Sequence, residues 1–248
     1  MSATIHLPQA PFRPVVASLN VNTIPVKPLK EPERPAPAQP FVTISRQAGA
    51  GAKILAEDLV NRLNMIENEL PQRWTSWDRE LVEKVASELG TRKDLVEGLT
   101  ESDHNWLQQF FDDLSASYDF HHASEFRIYR RVASTIRALA QSGRVVIVGR
   151  GGVHITRDLP GGLHLRLVAP LEHRIQTMMK RLDTTYERAK EYVTTTDRAR
   201  EKFDRQHFSG SLFSPDTFSI TFNTSAVSAE QMVDAVVAAL GVKQPVSA

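Results

Sequence analysis

The sequence predicts an α/β domain, a parallel sheet with helices on both faces. Three observations predict it. Short runs of β-favouring residues alternate along the chain with longer stretches of helical period. The first strand passes through a glycine turn straight into a helix. A later run, Arg144 to Arg150, is apolar at its centre and flanked by Gly143 and Gly149, as in a strand buried on both faces.

Phe41 to Ile44 is the first strand. Gly49 and Gly51 mark the turn, and from Lys53 the period changes, with Leu55, Leu59, Val60 and Leu63 on one face of a helix ending near Asn64. Arg73 to Trp77 reads as a second strand. Asp78 then stands as an N-cap with Leu81, Val82, Val85, Ala86 and Leu89 behind it and Gly90 as the stop. Residues 91–122 are polar, with short helices expected over 94–99 and 106–114. Ser124 to Ser142 is helical, with Ile128, Val132, Ile136 and Leu139 on one face. The apolar strand at 144–150 follows. Gly162 to Ala169 alternates through Leu163, Leu165 and Leu167 as a further strand.

Pro170 opens the next helix, to about Leu182, and Thr185 to Arg205 forms a long, highly charged one. Phe218 to Phe222 is the last strand. Ser228 with Gln231 makes a capping box for a final helix that buries Met232, Val233, Val236, Val237 and Leu240.

The flanks differ in character. Residues 1–40 hold Pro8, Pro11, Pro14, Pro25, Pro28, Pro32, Pro35, Pro37 and Pro40 without sustained periodicity, so an extended, mostly disordered tail is expected there. Residues 242–248 form a short C-terminal tail, leaving 41–241 as one domain. With 41% hydrophobic and 24% charged residues the composition is that of a soluble globular protein. A net charge of +1 gives no reason to expect nucleic acid or an anionic membrane as partner. The absence of cysteine excludes disulfides, thiolate chemistry and Cys-ligated zinc. No secretory leader is visible, and no apolar run approaches the roughly 20 residues of a membrane span, so a cytoplasmic protein is expected.

A strand, a glycine turn and a helix form the layout that cradles phosphates. Glycines let backbone N–H groups converge, and the helix N-terminus adds positive potential. Against the pattern G-x-x-x-x-G-K-[ST], with Gly51 as second glycine, Ala52 replaces the Lys, Lys53 the Ser/Thr and Arg46 the first glycine. Two strands end in glycine plus arginine, at Ser45-Arg46 and at Gly149-Arg150. The segment 172–205 carries Arg174, Lys180, Arg181, Arg188, Lys190, Arg198, Arg200, Lys202 and Arg205. It reads either as a solvated helix pair with i,i+4 ion pairs or as a mobile lid whose arginines close over a polyphosphate. His121 and His122, near Asp119 and Glu125, are neighbours whose side chains point apart, so a polar loop and not a metal site is expected.

Taken together, the runs Ile44–Ile54, Trp77–Leu81, Val146–Gly151, Val168–Ile175, Thr196–Arg200 and Phe222–Ser225 resemble the cytidylate kinase-like family, a nucleoside monophosphate kinase branch of the P-loop kinases. The resemblance covers 41 to about 240. It implies a P-loop NTPase-type five-stranded parallel sheet, a helical acceptor-binding insertion near 73–142 and a helical lid near 172–205. It also implies ATP and Mg²⁺ as cofactors and small-molecule nucleotide substrates as partners. Ser45, Arg46, Gly49, Ala50, Gly51, Ala52 and Lys53 would hold the donor phosphates, and Asn223, Thr224 and Ser225 would lie near the donor base. Asp78, Arg79, Arg150 and Gly151 would receive the acceptor. Lys53, Arg150, Arg174, Arg181, Asp197, Arg198 and Arg200 would be the catalytic positions.

Where the family's cytidylate kinases carry an Asp after the Gly-Arg pair, this chain has Gly151. Two functions are therefore open: ATP-dependent phosphoryl transfer to a nucleoside monophosphate or similar phosphorylated molecule, and a catalytically silent nucleotide-binding sensor or scaffold.

Overall fold

The computed structural model describes residues 39–78, 123–149, 151–207 and 216–242, with backbone alone for 123–129, 206 and 207. The elements are β1 (Phe41–Arg46), α1 (Ala52–Ile66), β2 (Thr75–Asp78), α2 (Ala123–Ser142), β3 (Val145–Val148), α3 (Gly152–Thr156), β4 (Gly162–Val168), α4 (Leu171–Leu182), α5 (Tyr186–His207), β5 (Ile220–Asn223) and α6 (Ala229–Ala239).

They build a five-stranded sheet in the order β2-β3-β1-β4-β5, parallel at every pairing. The central strand β1 pairs through Val42–Val146 on one side and Val42–Leu163 on the other. Period 2 splits the sheet's side chains between two cores. Val42, Ile44, Val146, Val148, Leu165, Leu167 and Phe222 face α1 and α6, where Leu59, Leu63, Val233 and Val236 complete the cluster. Phe41, Val145 and Ile147 face α2 and α3 through Ile136, Leu139 and Ile155. Each fully buried leucine such as Leu59 contributes about 1.5–3 kcal/mol relative to an exposed one. The alternation of Leu163, Leu165 and Leu167 and the capping box of Ser228 with Gln231 stand as the sequence predicts.

Several details differ. β1 runs on to Arg46 because it keeps pairing with β4 beyond Ile44, Ser45 opposite Arg166 and Arg46 opposite Leu167. Gln39 and Pro40, expected to close the tail, belong to the fold: Arg144 donates from its backbone N–H to the Pro40 carbonyl at 2.7 Å. Asp78 is the last residue of β2, paired with Val148, and the helix expected behind it lies outside the described residues. The helices expected at 94–99 and 106–114, the histidine pair and most of the acceptor insertion lie outside them too. Pro170 is the N-cap of α4, one residue before its first turn. The short helix α3 had no forecast in the sequence. No described helix is long and apolar enough to cross a membrane.

A third, smaller core is the one that positions the site. Ala48, in the turn after β1, is 3% exposed and packs with Ile175 and Met178 of α4 and Ala189 and Val193 of α5. The two charged helices are thus seated on the glycine turn through an apolar contact.

Candidate active site

Parallel sheets present ligands beyond the carboxyl ends of their strands, where the strand order reverses. Here that point is β1, flanked by β3 and β4, and the turn that leaves it is 47–51. Gly49 and Gly51 hold left-handed φ of 78° and 77°, which bend the chain back into α1. Gln47 donates to the Leu167 carbonyl at 3.0 Å, and Ala50 donates to the Gln47 carbonyl at 3.3 Å. The N–H groups of Gly49, Gly51, Ala52, Lys53 and Ile54 meet no acceptor among the described residues. No side chain caps α1, and its first turn carries no acid. Open donors beside the positive end of a helix can hold an anion.

The turn is held from outside by α4 and α5. Arg174 is 6% exposed, and its guanidinium donates to the Ala169 carbonyl at 2.9 Å, to the Ala48 carbonyl at 3.1 Å and to Asp197 Oδ2 at 2.5 Å. Asp197 Oδ1 accepts the Ala48 N–H at 2.7 Å. Arg200 Nη1 donates to the Arg46 carbonyl at 2.8 Å, and the Ala169 N–H donates to Gln47 Oε1 at 3.0 Å.

Beside the turn lies a cleft of about 590 Å³, counting the solvent at its mouth, on the α2 and α3 side of the sheet. Ser45, Arg46, Arg166, Gly149 and Gly151 form its floor, and Asp197, Arg200, Glu201 and Asp204 of α5 form its wall. Gly151, left-handed at 71°, opens α3, and a Cβ added at Gly149 would meet nothing within 4 Å among the described residues. The guanidinium of Arg166 lies 5.5 Å from the centre of the Phe218 ring. Burial lowers the pKa of Arg166, and the carboxylates of Asp204 and Glu201 oppose that shift. Among the described residues the lining carries Arg46, Arg166 and Arg200 with Asp197, Glu201 and Asp204, and Asp197 is already paired with Arg174.

The structure brings Ser45, Arg46, Gly151, Asp197 and Arg200 together around the turn and cleft. Arg174 joins them from within the protein, not from solvent. Lys53 points elsewhere: its side chain is 63% exposed, and its Nζ lies 3.9 Å from Glu57, one turn further along α1. Arg181 and Arg198 are exposed. Asp78 sits exposed at the end of β2, while Arg79 and Arg150 lie outside the described residues. At the end of β5, Asn223 Oδ1 accepts from the Ser225 N–H at 3.2 Å and from its hydroxyl at 2.8 Å; the Thr224 N–H donates to the Val168 carbonyl at 2.9 Å.

Sequence reasoning missed Gln47, Arg166, Glu201, Asp204 and Phe218. A signal for Arg166 was present: alternation sends it to the face opposite Leu165 and Leu167, which requires a polar surface there. Glu201 and Asp204 follow Asp197 at i+4 and i+7, the spacing of one helix face.

Residues 41–226 match the cytidylate kinase-like family. An uncharacterized protein from Eubacterium ventriosum superposes with a TM-score of 0.61 at 18% identity, over 83% of this chain and 99% of that one. A shikimate kinase from Bacteroides thetaiotaomicron gives a TM-score of 0.44 at 12% identity, over 82% of this chain and 98% of that one. A curated protein of Corynebacterium glutamicum, named uronate isomerase, is 26% identical over 164 residues, 64% of this chain. The matched stretch spans only 31% of that protein's length.

Proposed function

Because the chain belongs to the cytidylate kinase-like family, we propose that it transfers the γ-phosphoryl group of ATP to a nucleoside monophosphate or a similar phosphorylated small molecule. The observation that carries this reading is the set of N–H donors at Gly49 and from Gly51 to Ile54, open among the described residues, at the uncapped end of α1. In transfer, an oxygen of the acceptor phosphate attacks the γ-phosphorus, the bond to the β–γ bridging oxygen breaks, and ADP leaves. The attacking oxygen is already anionic, so no strong general base is needed.

Positioning and charge neutralisation carry such a reaction. The turn's donors hold the β- and γ-phosphates, while Arg46 and Arg200 lie at its edge. Arg150, Arg181 and Arg198 are the further cations of the resemblance, and Asn223, Thr224 and Ser225 the neighbours of the donor base. Asp78, Arg79 and Gly151 are assigned to the acceptor side.

Magnesium enters this scheme with ATP. Lys53 stands where a hydroxyl ligand is usual, and among the described residues no cluster of three or more His, Asp or Glu side chains is arranged for a metal. In this reading the ion would be held mainly by phosphate oxygens and water, screening their charge.

The exposed Lys53 favours a second reading, a silent nucleotide sensor. ATP consumption with magnesium separates the two, measured against a panel of nucleoside monophosphates. Turnover on any acceptor supports the kinase. If Lys53 serves the transferring phosphate, Lys53→Ala lowers kcat more than it raises the KM for ATP. The double substitution Ala52→Lys with Lys53→Ser keeps or raises activity in a working kinase. Wild type and double variant both inert on every acceptor, with ATP still bound, would establish the sensor.

A further inference from the structure

Arg174 and Asp197 were candidates to touch phosphate, yet both carboxylate oxygens of Asp197 and the Nε and Nη1 of Arg174 are bonded within the protein. Oδ1 of Asp197 takes the Ala48 N–H, Oδ2 takes Arg174, and Arg174 donates to the carbonyls of Ala48 and Ala169. Ala48 is thus gripped at both of its backbone groups by one ion pair whose members sit on α4 and α5. Its methyl is buried among Ile175, Met178, Ala189 and Val193 of the same helices. The next residue is Gly49, packed so closely that a Cβ there would lie 2.5 Å from the Arg174 carbonyl oxygen.

From this geometry we infer that Arg174 and Asp197 are positioning residues. They fix the glycine turn so that its free N–H groups converge on phosphate, and they transmit the state of the turn to α5. The inference rests on the turn being the anion site. Its chemistry is distinctive because Asp197 is a negative charge beside a site for anions. Arg174 neutralises it, and only the pair together orients Ala48 without repelling the ligand. Binding at the turn and the placement of α5 are then one equilibrium, since Asp197, Arg200, Glu201 and Asp204 line the cleft from that helix. The base of the helix pair behaves as a strut seated on the turn, not as a flap.

The test uses the full chain and pyrophosphate, titrated by calorimetry against wild type, Asp197→Asn, Arg174→Met and the double variant. Positioning predicts that each single change weakens pyrophosphate binding about tenfold, the scale of losing one hydrogen bond to a charged group. The double variant should be no worse than the singles, because one unit has been removed. A purely electrostatic role predicts the opposite sign for Asp197→Asn, which deletes a negative charge and should tighten binding; that result overturns the inference. So does unchanged affinity with lowered apo stability.

Hydrogen exchange on the wild type keeps the idea testable if the variants do not fold. Pyrophosphate should slow exchange at 193–200 as well as at 49–54, and slowing confined to 49–54 would overturn it. Failure of the wild type to bind pyrophosphate would remove the anion-site reading and this inference with it. Binding that the variants leave untouched removes this inference alone.

Discussion

Substituting alanine at Gly49 and, separately, at Gly51 should have unequal costs, and the inequality follows from what surrounds each Cα. Both residues are left-handed, at φ of 78° and 77°, so each change forces an L-residue into a region costing about 1–2 kcal/mol. At Gly51 the new methyl meets nothing within 4 Å among the described residues, so only that strain is counted there. At Gly49 it would lie 2.5 Å from the Arg174 carbonyl oxygen and 3.0 Å from the Arg174 Cβ. Arg174 is anchored through Ala169, Ala48 and Asp197 and has little room to retreat. Relieving the overlap adds about 1–3 kcal/mol, the usual cost of overpacking. Gly49→Ala should therefore lose about 2–5 kcal/mol and Gly51→Ala about 1–2 kcal/mol. Urea denaturation of the three proteins, read at a common m-value, measures both. Equal losses, or a larger one at Gly51, would refute the claim that α4 is seated on the turn.

Two further outcomes follow from the cleft and its surroundings. His154 on α3 has its pKa lowered to about 4, first by burial and then by the charges of Arg157 and His164. A folded pKa below the unfolded one contributes stability that is present above about 6.5 and lost as pH falls toward 4. His154→Gln should flatten that decline by on the order of 2–3 kcal/mol in denaturation profiles, and a parallel decline in wild type and variant would contradict it. Arg166, stacked by Phe218 at the cleft floor, should matter to the acceptor more than to ATP. Arg166→Gln is expected to raise the acceptor KM about tenfold while the ATP KM stays within about twofold; equal rises in both would make Arg166 a structural residue.

The sheet was legible because each strand carried its own signal. The apolar centre at 145–148, the alternation at 163–167 and the capping box at Ser228 are local patterns, and each forms where expected. The short helix α3 was not legible: five residues opening on glycines show no period. The turn after β1 was legible from Gly49 and Gly51, whose positive φ leaves its mark in residue type.

The burial of Arg174 was hidden. Its neighbours Ile175 and Met178 mark an apolar face, but its partner Asp197 lies on another helix, and the Ala48 that both hold is on a third segment. Only the tertiary arrangement turns an expected lid arginine into an internal one. Lys53 shows the reverse. Its distance in sequence from Gly51 suggested phosphate, while the helical turn aims it toward Glu57.

The central claim, that the turn after β1 is a phosphate site, is met most directly by following backbone amide resonances of the isotope-labelled protein as pyrophosphate is added. The account predicts the largest shifts at Gly49, Gly51, Ala52, Lys53 and Ile54, the donors that meet no acceptor among the described residues. Shifts that spare these amides and gather around Arg166 and Phe218 instead, or no saturable shifts at all, would contradict it.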